Sequence, residues 1–247
     1  MSSYAGLMKY IIGCSGFHYK HWKGDFYPAD LPVKKWFEYY CRYFMTLELN
    51  VTFYRFPKLS TLQDWHRKSP RDFVFSVKVP RSVTHFKKLN GTLGMVSDFY
   101  GLVREGLQEK LGSVLFQFPP NFSCTEQHMR RIIDNADPSF ENVAEFRHSS
   151  WWKDDIIKQL GEHQIAFCGM SHPDFPNDVI GNTSHLYYRM HGRDQLYSSG
   201  YSPEELKSVL NNIRAMKHIK KAYIYFNNDA RGYATRNAER LIKLTSD

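Results

Sequence analysis

The chain has 247 residues, 42% of them hydrophobic and 16% aromatic, and a formal net charge of +8 at neutral pH. That length suits one α/β barrel of about 250 residues, and the apolar content excludes a disordered or collagen-like chain. No run approaches the ~20 apolar residues of a membrane helix, and Met1 to Lys9 lacks a basic stretch followed by an apolar core, so a single cytoplasmic domain over residues 1–247 is expected.

Lys9–Gly16 reads as the first strand, followed by an aromatic loop over Phe17–Pro28 and a helix opening at Pro32 with Trp36, Phe37, Tyr40 and Phe44. Proline is favourable in a first helical turn because its missing N–H would have no partner there. Thr46–Tyr54 is the second strand, and a helix over Ser60–Ser69 follows Pro57. Asp72–Pro80 is the third strand, joined by a long loop to a helix over Val96–Lys110. Gly112–Pro119 precedes a helix that starts near Cys124 or Thr125. Asn142–Arg147 precedes a helix capped by Ser149 or Ser150, whose hydroxyl can accept an orphan N–H.

Ile165–Ser171 is the sixth strand, but the stretch after it, His172–Ser184, is rich in Pro, Asn, Asp and Gly and reads as loop. The sixth helix is therefore expected to be weak or missing. His185–Gly192 leads into a helix from Ser202 to Met216, and Lys221–Asp229 into a last helix from Tyr233 to Leu244. Alternating strands and helices imply a parallel sheet. Eight strands favour an irregular, closed TIM-like (β/α)8 barrel over an open doubly wound sheet.

Side chains of a strand alternate between its two faces. Glu48, Asn50 and Thr52 alternate with Leu47, Leu49 and Val51; Ser76 and Lys78 alternate with Phe75, Val77 and Val79; Glu145 and Arg147 flank Phe146; Arg189 and His191 flank Met190. In a barrel these polar sets crowd the mouth at the strand C-terminal ends, where barrel enzymes keep their sites. Ser15 or Cys14, Gln117, and Asn227 or Asn228 complete the set. Two glutamates then stand against Lys78, Arg147 and Arg189. The guanidinium fork suits phosphate or carboxylate, and a glutamate of tuned pKa can move protons. The competing reading is a self-satisfied ion network, because an unpaired buried ion is costly.

Residues 51–100 hold nine Lys or Arg against three Asp, an excess that favours an anionic partner and also promotes solubility. Arg55 follows the second strand, Arg81, His85, Lys87 and Lys88 the third, and His148, Trp151 and Trp152 the fifth. Basic residues interleaved with aromatics suit nucleic acid or a sugar phosphate. The catalytic candidates are Glu48, Glu145, His191 and His85. The binding candidates are Ser15, Asn50, Arg55, Lys78, Gln117, Arg147, Trp151, Arg189, Asn227 and Asn228. Trp22, Trp36 and Trp65 are expected in the core.

Cys14, Cys41, Cys124 and Cys168 form no CxxC or CxxH pair, which suggests neither a zinc site nor a disulfide framework. Glu48, Glu145, His148, His172 and His191 are residue types that ligate metal, but their spacing has no metal signature and three nearby cations oppose a divalent ion. No Walker loop, complete GxGxxG or GxSxG elbow is present. Neither a metal nor a cofactor is expected.

These segments resemble the YecE-like proteins, also called domain of unknown function 72. The resemblance is carried by Gly13-Cys14-Ser15-Gly16-Phe17 with Tyr19, Trp22, Gly24 and Phe26-Tyr27-Pro28, by Glu48, Asn50 and Thr52-Phe53-Tyr54-Arg55, and by Phe75-Ser76-Val77-Lys78. It continues through Thr84-His85, Leu115-Phe116-Gln117-Phe118-Pro119-Pro120, Glu145-Phe146-Arg147-His148, Trp151, Tyr188-Arg189, His191-Gly192, Tyr201 and Tyr225-Phe226-Asn227-Asn228. Phe17 stands where the family often has Trp. The resemblance implies one irregular TIM-like barrel with no established activity and no assigned catalytic residues.

The function expected from the residues is a barrel hydrolase or lyase that takes a phosphorylated or nucleic-acid substrate at its cationic mouth. The alternative is a noncatalytic protein that binds nucleic acid or an anionic metabolite there. A carbohydrate enzyme with Glu48 and Glu145 as its acid pair would need a carboxylate separation of about 5 or 6.5–9.5 Å. No membrane and no obligate protein partner are inferred.

Overall fold

The computed structural model describes residues 8–246. Its strands are β1 (Lys9–Ser15), β2 (Thr46–Leu49), β3 (Val74–Lys78), β4 (Leu111–Phe118), β5 (Glu141–Phe146), β6 (Ile165–Ser171), β7 (His185–Met190) and β8 (Lys221–Phe226). They pair in sequence order, all parallel, and β8 returns to β1 to close the barrel. The helices are α1 (Trp36–Tyr40), α2 (Val51–Tyr54), α3 (Leu59–Lys68), α4 (Leu93–Leu107), α5 (Glu126–Asn135), α6 (Asp154–Glu162), α7 (Pro203–Ala215) and α8 (Tyr233–Ser246). Among them none is long and apolar enough to cross a membrane.

The parity of the strands divides the interior into two apolar regions. One parity packs outward against the helices, as Leu47, Phe75, Val77, Phe116, Phe146 and Phe226 do. The other fills the lumen with Ile11, Leu115, Val143, Ala166, Cys168, Tyr187, Tyr223 and Tyr225. The lumen is thus a packed plug, and the polar residues of the same parity come to rest on top of it. Tyr225 supports that layer, its hydroxyl lying 2.6 Å from the Thr46 hydroxyl and 2.9 Å from that of Ser76.

Local chemistry explains most helix starts. The Thr125 hydroxyl accepts the His128 N–H at 3.1 Å and caps α5. At α7, Ser202 and Glu205 form a reciprocal capping box with Pro203 at the first turn. The expected loop between β6 and β7 is present, with no helix in it. Asn182 ties it to the barrel by accepting from Phe167 N and donating to Ile165 O, and Asp178 O lies 2.6 Å from where a Cβ on Gly169 would stand. Backbone seated directly on β6 leaves no room for a helix layer there.

Four expectations need correction. The second strand ends at Leu49 rather than Tyr54, because Thr52 turns the chain into α2: its hydroxyl approaches Leu49 O at 2.8 Å and Lys78 O at 2.6 Å. The first helix does not open at Pro32 but follows a tight turn over Val33–Lys35 and is over by Tyr40. The helix after β3 runs Leu93–Leu107 rather than Val96–Lys110, since Gln108 takes a φ of 50° and breaks it. Neither Ser149 nor Ser150 caps α6. Ser150 instead accepts the Cys124 N–H at 2.7 Å, and Lys153 precedes α6 without a side-chain cap.

Candidate functional site

Arg189 organises the top of the lumen. Its Nε and Nη2 donate to Glu48 Oε2 at 3.0 and 2.8 Å, and its Nη1 donates to Glu145 Oε2 at 2.7 Å. Ser15 Oγ also donates to Glu48 Oε2, at 2.6 Å, and the Tyr187 hydroxyl donates to Glu48 Oε1 at 3.2 Å. Arg147 closes the other side, with Nε donating to Glu145 Oε1 at 2.6 Å and Nη2 to His191 Nε2 at 2.9 Å. Both glutamates and His191 are fully buried.

Backbone geometry places these groups. Gly16, at φ 91°, ends β1 in the left-handed region that favours glycine, and its N–H donates to Glu48 O at 2.9 Å. A Cβ on Gly16 would meet the Tyr19 hydroxyl at 2.8 Å, the same hydroxyl that donates to Ser15 O at 2.6 Å. Ser15, Glu48 and Ser76 lie in register across β1, β2 and β3, as Gln117 and Glu145 do across β4 and β5.

This pairing decides protonation. Burial works to raise the Glu145 pKa, but Arg147 and Arg189, helped by His191, hold its carboxyl well below the usual range. Burial, then Arg147 and Arg189, drive the His191 pKa well down, so its ring is neutral. His191 Nε2 accepts from Arg147 Nη2, and on the other side of the ring the Asn227 amide lies 3.1 Å from Nδ1. Glu145 is therefore a fixed carboxylate and His191 a neutral acceptor. Arg189 also occupies the space between the two acids that a glycosidase needs for sugar or water.

Lys78 differs from every other charge at the mouth. Arg147 and Arg189 each hold a carboxylate, whereas Lys78 has none within 4.0 Å among the described residues. Its side chain is only 7% exposed, and Nζ lies 3.8 Å from the centroid of the Phe53 ring. Burial, then the Arg189 charge, lowers its pKa to about 7, against an opposing pull from Glu145 and Glu48. His85 packs edge-on to the same ring at 4.9 Å, and burial, then Lys78, lowers its pKa to about 4.

Above the ion network opens a cavity of about 410 Å³, walled by Asn50, Lys78, Gln117, Arg189, Asn227 and Asp229. The aromatic side chains of Tyr19, Phe53, Tyr54 and Tyr197 complete it. Asn50 Oδ1 is buried without a hydrogen-bond partner, and the Asp229 carboxylate faces His21 Nε2 at 3.4 Å.

The candidates thus fall into four groups. Asn50, Lys78, Gln117, Arg189 and Asn227 line the cavity, while Ser15, Glu48, Glu145, Arg147 and His191 form the network beneath it. His85 stands behind Phe53. Three candidates lie elsewhere. Trp151 is fully buried in a stack with Phe146 and Phe122, at centroid distances of 4.1 and 5.7 Å. Asn228 points outward, donating to Ser199 O and Asn237 Oδ1. Arg55, directly after α2, is exposed and does not line the cavity. Cys14 is likewise in the outer core, which settles strand one in favour of Ser15.

Tyr187, absent from the candidates, reaches Glu48. It has the parity of Arg189, two residues back along β7, and that signal would have found it. Among the described residues no three His, Cys, Asp or Glu side chains gather as metal ligands. Glu48 spends its oxygens on Arg189, Ser15 and Tyr187, and Glu145 on Arg147 and Arg189.

Comparison with known proteins agrees with this fold. A family model described as protein of unknown function DUF72 matches residues 11–247. The UPF0759 protein YunF of Bacillus subtilis is 23% identical over 252 residues, covering 88% of this chain and 89% of its own length. The UPF0759 protein YecE of Escherichia coli is 27% identical over 131 residues, about half of each chain. Among solved structures, a DUF72 family protein of Thermotoga maritima superposes with a TM-score of 0.87 at 30% identity, covering 97% of this chain and 100% of that one. A DUF72 family protein of Enterococcus faecalis gives 0.81 at 18% identity, covering 96% of each chain. With the whole barrel matched in sequence and in structure, the chain belongs to the DUF72 family.

Proposed function

We propose that the protein is a barrel enzyme that takes a small anionic substrate, a phosphorylated or carboxylated metabolite, in the cavity above Arg189. The observation that carries this reading is Lys78. Arg147 and Arg189 are matched by Glu145 and Glu48, so the charge open to a ligand is the Lys78 nitrogen, on a wall where Asn50 and Gln117 make no side-chain hydrogen bond to a described residue. Amide donors beside an open amine suit one phosphate or carboxylate. A lyase is favoured over a hydrolase, because the site offers an amine able to lose its proton near neutrality, while Glu48 and Glu145 are held by arginines rather than free to activate water. The four free cysteines support a reducing, cytoplasmic setting.

Calorimetric titration with glycerol phosphate tests the reading. Binding should be present in the native protein and lost in Lys78→Met; equal binding by both proteins contradicts it.

One observation favours the noncatalytic alternative. Arg81 sits between the rings of Tyr54 and Phe86, 5.6 and 5.5 Å from their centroids, and those rings are 65% and 71% exposed. An exposed aromatic pair around a cation, next to Lys87 and Lys88, suits stacking on single-stranded nucleic acid. Such binding would weaken by roughly 0.7 log unit per log unit of salt for each phosphate contact. One small anion at Lys78 gives a much shallower slope.

A further inference from the structure

We propose that Lys78 forms an imine with the carbonyl carbon of an anionic aldehyde or ketone bound in the mouth cavity. The proposal rests on the reading of this cavity as an anion site and names the substrate class that the site is built for.

The geometry carries it. Lys78 ends β3 in the lining of a cavity of about 410 Å³, nearly buried, with its nitrogen against Phe53 and, among the described residues, with no carboxylate within 4.0 Å. Structural buried lysines are paired, as the protein's own Lys110 shows: its Nζ donates to His66 O, Ser69 O and Ser69 Oγ at 2.6, 3.0 and 2.9 Å. Lys78 makes no such bonds. The groups that act on it are Glu48 from β2, Glu145 and Arg147 from β5, Arg189 from β7 and His85 from the turn after β3. The arginines counter the pull of the two acids, and burial tips the balance to the neutral amine. Asn50, which also lines the cavity, has a side-chain oxygen, Oδ1, without a hydrogen-bond partner.

The step balances without any co-reactant. The Nζ lone pair forms the C–N bond, the carbonyl C–O bond breaks, and both amine hydrogens leave with that oxygen as water. Protonated, the imine carries the same charge as the original ammonium, so attraction for the substrate's phosphate or carboxylate persists. The iminium then withdraws electrons from the neighbouring carbon, which is what a lyase requires.

The test is reductive trapping with glycolaldehyde phosphate and cyanoborohydride near pH 7.5, read by peptide mass mapping. Lys78 should be alkylated at least about tenfold faster than exposed Lys34, Lys35 and Lys87. Inorganic phosphate should slow it. Lys78→Arg, checked for fold by circular dichroism, should keep glycerol phosphate binding and lose the adduct. Trapping no faster than at the surface lysines, with glycerol phosphate still bound, overturns the imine and leaves the anion site standing. Trapping by uncharged glycolaldehyde at an equal rate and unaffected by phosphate overturns the anionic substrate class. Absence of both trapping and binding overturns both.

Discussion

The nitrogen of Lys78 lies 3.8 Å from the centre of the Phe53 ring, and among the described residues no carboxylate comes within 4.0 Å of it. The ring is held by α2, which Thr52 ties to the end of β3 through Lys78: the Thr52 hydroxyl accepts the Lys78 N–H at 3.2 Å and lies 2.6 Å from Lys78 O. One short helical turn therefore positions both the lysine's backbone and the aromatic face over its amine. A ring face attracts an ammonium by about 0.5–2 kcal/mol, less than the cost of burying one.

Lys78→Met should stabilise the protein at acid pH. The folded pKa of about 7 lies below the ordinary 10.5, so the unfolded chain binds more protons between those values and stability rises with pH across that window. At about pH 6 the variant should be more stable by on the order of 5 kcal/mol, with most of that advantage gone by about pH 10. Urea unfolding at several pH values reads this, and a pH-independent difference contradicts it.

Phe53→Ala should raise the Lys78 pKa. Burial is the largest cause of its depression, and removing the ring lets water reach the amine. Reductive methylation of Lys78 near neutral pH, followed by mass mapping, should slow severalfold relative to the native protein. An unchanged rate would show that Arg189 rather than burial sets the value.

Arg189→Met should cost about 3–5 kcal/mol, because it leaves Glu48 and Glu145 buried without their shared partner. Part of that loss should be recovered in the Arg189→Met, Glu48→Gln double variant. Denaturant unfolding of the single and double variants measures it, and additive losses contradict the coupling.

Trp151→Ala should also cost about 3–5 kcal/mol, through the cavity it leaves beside Phe146 and Phe122. In protein that remains folded, glycerol phosphate affinity should be unchanged, whereas Gln117→Ala should weaken it. Equal weakening by both would return Trp151 to the site.

Much of this architecture was legible in the chain. The period of two assigned Glu48, Ser76, Lys78, Glu145 and Arg189 to the inner face, since inner and outer residues differ in kind along each strand. The same rule failed past Leu49, where a threonine hydroxyl bonded to the backbone starts a helical turn; Asn50 still reaches the cavity, but from α2. Asn227 was separable from Asn228, because it shares the parity of Tyr223 and Tyr225. Trp151 was not, since its burial depends on Phe122 from the preceding unit. Least legible was the pairing itself. Parity states that five charges face one lumen, but only the closed barrel shows that Arg189 takes both acids and leaves Lys78 alone.

The most direct test is an NMR pH titration of the protein with 13C-labelled lysine side chains, with the Lys78 ε-carbon assigned by its absence in Lys78→Arg. An isolated, buried amine predicts a midpoint near pH 7 for the Lys78 signal. Titration of the Lys78 signal at the ordinary value of about 10.5 would contradict the account.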